Sequence, residues 1–105
     1  IGTQPSTYDE AKQLLIKEVL RMGSENITPD ELKSAKSYLK GMNIMSMESN
    51  SGQASQYAHY EIIGAGYNFV DRYDKKIDAV RAEDILRVGK KYLDLNYAMG
   101  GVIAK

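Results

Sequence analysis

The chain has 105 residues, 43% hydrophobic and 27% charged, which suits one globular domain or part of one and excludes disordered and fibrous classes. Its 14 Lys plus Arg balance 14 Asp plus Glu, so no net field draws it to nucleic acid, an anionic membrane or an acidic substrate. The absence of cysteine excludes disulfides, thiolate metal sites and cysteine nucleophiles while leaving the compartment undetermined, and no apolar run approaches the roughly 20 residues of a membrane helix.

The opening residues Ile1 to Ser6 read as the end of a strand entering a turn, as expected of a chain that starts inside a larger protein. Ser6 and Thr7 precede Asp9 and Glu10, which offers two overlapping capping boxes and predicts a helix over about 7–22. Ala11, Leu14, Leu15, Val19 and Met22 recur at helical spacing as its inward face, and Gly23 is expected to stop it in a left-handed conformation.

The second start is written more fully. Thr28 is the cap, Pro29 takes the first helical position, Asp30 and Glu31 follow in the first turn, and Ile27 is placed to staple onto Leu32. From Pro29 to about residue 48, Leu32, Ala35, Leu39, Met42 and Met45 form one apolar face, with Lys33, Lys36 and Lys40 on other faces. Met42, Met45 and Met47 with Ile44 could form a cofactor box or an adaptable peptide groove, but such stripes are far more often core, and core packing is the expectation.

Ser49, Asn50, Ser51 and Gly52 are expected to break or kink this helix. A third helix over about 53–64 carries Ala54, Tyr57, Ala58 and Ile62 inward and ends at the Gly64-Ala65-Gly66 turn. Phe69, Tyr73 and Ile77 are four apart, which predicts a short helix over about 69–78. In the next helix Ile85, Val88, Tyr92 and Leu93 face inward, and Gly89 between them allows a neighbour to approach closely. Tyr97 to Ala104, with Gly100-Gly101 in the middle, reads as a strand with a bulge. The fold class expected is therefore α+β: about five helices followed by a C-terminal strand. That strand lacks most of its ladder partners in the chain, with residues 1–4 able to supply one short one, so pairing with upstream sequence, or with a second copy through Tyr97–Ala104, is expected.

Chemistry is sparse. The single histidine, His59, with scattered carboxylates cannot supply the three protein ligands of a catalytic zinc. Gly64-Ala65-Gly66 lacks the third glycine and preceding strand of a dinucleotide fingerprint. Ser46, Ser49, Ser51 and Ser55 come without a nucleophile elbow or triad order. Tyr38, Tyr57, Tyr60, Tyr67, Tyr73, Tyr92 and Tyr97, among eight tyrosines in all, are read as a wet-edged core rather than a binding surface. No catalytic, cofactor-binding or metal-binding residue is assigned.

Several blocks in order carry a resemblance: Thr28-x-x-Glu31-Leu32-x-x-Ala35-Lys36; Glu48-Ser49; Gly64-x-Gly66-Tyr67; and Ile77-x-Ala79-Val80-x-x-Glu83-Asp84-Ile85-x-x-Val88-x-Lys90-Lys91-Tyr92-Leu93. Together they resemble the pitrilysin/insulinase-type zinc metallopeptidases, which include mitochondrial and bacterial processing proteases. The resemblance spans the chain from about Ile1 and is to the later portion of one module. It implies helices covering a sheet, two halves closing on a peptide, and zinc in the parent, held by a His-x-x-Glu-His motif that this chain lacks. The family's substrate-binding Arg and Tyr also lie before the matched segment.

One departure is Arg81, where the family often has Thr or Ser; arginine cannot accept the capping amide, a local loss of about 1 kcal/mol. The resemblance thus implies a fragment of a processing protease, non-catalytic by itself, that helps enclose peptide substrate. A free-standing helical interaction module whose Met-rich second helix receives a partner helix, and a non-catalytic partner subunit of a two-chain peptidase, are the alternatives.

Overall fold

The computed structural model describes residues 2–93. They form helices alone: α1 (Tyr8–Ser24), α2 (Pro29–Ser46), α3 (Asn50–Ile62), α4 (Tyr73–Ala79) and α5 (Ala82–Tyr92), with 3-10 segments at Pro5–Thr7 and Tyr67–Arg72. The expected α+β class is corrected by this finding, since no strand occurs among the described residues and residues 2–4 have no regular structure. The strand read at Tyr97–Ala104, with the pairing expected of it, lies outside the described residues. Among the described residues no helix is long and apolar enough to cross a membrane.

Two compact units are distinguished. Of the described residues, those up to Ile27 together with those from Ala82 onward form one, and Thr28–Arg81 forms the other. In the first, α1 packs on α5 where two glycines meet. Gly89 is buried, and a Cβ there would run into the Met22 carbonyl group and stand 3.1 Å from Gly23 Cα. A Cβ on Gly23 would lie 3.3 Å from the Gly89 carbonyl carbon and oxygen. The backbones touch because neither helix carries a side chain at the crossing. Gly23 is therefore not the expected left-handed stop: α1 runs through it, and only Gly64 and Gly66 have positive φ among the described residues.

The start of α1 also differs from expectation. Thr7 makes no side-chain cap. Its hydroxyl donates to the Gln4 carbonyl (3.2 Å) and lies 2.7 Å from the Thr3 hydroxyl, because Pro5 opens a 3-10 turn one step upstream and turns Thr7 back on it.

In the second unit, α2 begins with the capping box its sequence describes: Thr28 N–H donates to Glu31 Oε2 (2.7 Å) and Glu31 N–H to Thr28 Oγ1 (3.2 Å). The helix breaks at this stretch as expected, and Ser49 also caps the helix that follows. Ser49 Oγ accepts from Gly52 N–H (3.0 Å), so α3 starts at Asn50, three residues earlier than the sequence indicated. The α2–α3 turn is stitched by Gln56 Nε2 donating to Ser46 Oγ (3.0 Å) and Gln53 Nε2 to the Met47 carbonyl (3.0 Å). The helix expected over 69–78 is a 3-10 segment for its first part and α-helical only from Tyr73.

At the centre of this unit the buried Tyr60 ring lies 4.7 Å from Phe69, which meets Tyr73 edge-on at 6.5 Å. The Gly64-Ala65-Gly66 turn wraps the end of α3, with Ala65 and Gly66 N–H both donating to the Tyr60 carbonyl (3.0 and 3.1 Å). Glu61 then takes the Tyr67 N–H (2.8 Å).

Candidate docking face on α2

Helix α2 is turned against its own amphipathicity. Its lysine face is the one that meets α4. Lys36 Nζ donates to the Asp78 backbone carbonyl (2.8 Å), and Lys40 Nζ pairs with Asp78 Oδ1 (2.8 Å). The Asp78 carboxylate, hydrogen-bonded to Nζ, holds Lys40 above the usual lysine range, with burial opposing and the Asp74 charge adding. On the far side Ala35, Tyr38, Leu39, Met42 and Met45 make a continuous apolar stripe, and it is exposed: Tyr38 by 66%, Leu39 by 42%, Met42 by 48% and Met45 by 63%.

At 100° per residue Ser34 and Gly41 border the stripe on one side and Leu32, Asn43 and Lys36 on the other, while Glu31 and Ser46 fall within its arc at the two ends of the helix. A band of this kind along about three helical turns has the makeup of a buried face, with nothing of its own unit over it. The sequence expectation that Met42 and Met45 are core is corrected here, and Ile44, also exposed, lies on a third face. On the side that meets α4, Lys36 and Lys40 at i and i+4 both bond to Asp78, a clamp beside the half-buried Leu32 and Met47.

Other residues singled out from the sequence are dispersed. His59 is exposed and edges Tyr60 at 5.4 Å. Ser46, Ser49 and Ser51 belong to the α2–α3 turn, and Ser55 is exposed on α3. Among the described residues no three His, Asp or Glu side chains gather where they could hold a metal ion. Of the tyrosines, Tyr60 is buried and its phenol is pushed up, by burial first and then by Tyr73, while Tyr73 is half-buried. Tyr38, Tyr57, Tyr67 and Tyr92 are exposed, which corrects the wet-edged core for those four.

No family model, curated protein or solved structure matches the chain. The stripe and the clamp are thus read from the molecule alone. Sequence reasoning named most of the stripe residues but missed the clamp. Asp78 lies 42 positions from Lys36 and 38 from Lys40, and nothing local to the two lysines announces it.

Proposed function

We propose that this chain is the non-catalytic C-terminal part of a pitrilysin/insulinase-type zinc metallopeptidase module, serving to enclose peptide substrate, with the α2 stripe laid against the remainder of that module. The ordered sequence blocks support the family. The observation that carries the packing role is the seating of α2, whose Lys36 and Lys40 side is half-buried against α4 while its apolar stripe is open. Covering four large apolar side chains that are already partly shielded contributes on the order of 4 kcal/mol before the cost of association. Inside one covalent chain, where no translational freedom is lost, that is enough to hold a helical layer on a larger body; between separate polypeptides it corresponds to no better than about millimolar affinity. Zinc and catalysis belong, in this reading, to parts of the parent outside this chain.

The same stripe favours a second reading, a helical interaction module in which Met42 and Met45 repack around a partner helix. One set of experiments separates the two. The segment preceding this chain in its reading frame is expected to contain His-x-x-Glu-His and, when the two are produced as one polypeptide, to slow peroxide oxidation of Met42 and Met45 relative to the 105-residue chain. Leu39→Glu with Met42→Glu should destabilise that longer polypeptide more than it destabilises the 105-residue chain. Equal oxidation in the two forms would sink the packing role, and an upstream segment without the motif would favour the interaction module. Zinc retained at one equivalent by the 105-residue chain after dialysis, or chelator-sensitive peptide cleavage by it, would overturn the non-catalytic assignment.

A further inference from the structure

We draw no further inference here: the strongest candidate outside the α2 stripe, the shallow apolar groove along α1 lined by Ile16 and Leu20 between Gln13 and Ser24, carries none because nothing in the structure shows what covers it.

Discussion

A Cβ placed on Gly89 collides with the Met22 carbonyl group, whereas one placed on Gly41, also inside a helix, meets nothing within 4 Å. The two positions should therefore answer alanine with opposite signs. Gly89→Ala gains up to about 1 kcal/mol of helix propensity but must push α1 and α5 apart, an overpacking cost of about 1–3 kcal/mol, so net destabilisation is expected. Gly41→Ala gains propensity without a clash and should stabilise by about 0.5–1 kcal/mol. Urea unfolding of both variants reads the difference, and a Gly89→Ala chain as stable as Gly41→Ala would remove the close crossing. The sequence allowed the approach at Gly89 but could not name the partner. It took Gly23 for a stop because a glycine near a helix end signals a cap just as well as it permits contact.

The ends of α2 and the side it presents lie at different levels of legibility. Its start was readable because a capping box is complete within four residues, and each bond joins groups that the spacing alone brings together. Thr28→Ala should remove one of those bonds and leave the Glu31 amide to water, a loss of about 1 kcal/mol measurable by thermal or urea unfolding. The orientation of α2 was not readable, because it depends on contacts with another helix, Lys36 and Lys40 on Asp78 among them. That contact has its own signature. Lys40 titrates above an ordinary lysine through its bond to Asp78, so the pair favours the folded state below the unfolded lysine value of about 10.4 and loses its effect as pH rises through the folded value. Tyr60, raised by burial, acts in the same direction, since its phenolate is the form the core disfavours. Stability should fall as pH climbs above about 10. In Asp78→Asn the Lys40 ammonium, followed by NMR, should titrate lower than in the parent chain. An unmoved titration would mean that the clamp does not form in solution.

For the molecule as a whole, the decisive question is whether the apolar stripe of α2 belongs to this chain's own core or to a surface. The sequence could not answer it: Leu39, Met42 and Met45 at helical spacing describe a face that something covers, and periodicity is silent about whether the cover lies within the same chain. Magnitudes can decide. If the three side chains were internal core, replacing them together by Leu39→Ser, Met42→Gln and Met45→Gln would cost several kcal/mol, since each large-to-small or apolar-to-polar change in a core costs roughly 2–5 kcal/mol, and a domain of this size has about 5–15 kcal/mol to lose. The chain would then be largely unfolded at room temperature. Exposed by 42%, 48% and 63%, the same three positions should instead cost within about 0.5 kcal/mol each. The helical circular dichroism and the urea midpoint should stay close to those of the unaltered chain while binding of a hydrophobic dye falls. Among the described methionines, Met42 and Met45 should also be oxidised by dilute peroxide ahead of the half-buried Met22 and Met47, as mass spectrometry would read. A triple variant that lost its helical signal would place the stripe inside the chain's own core, and the seating of α2 on α4 would be wrong.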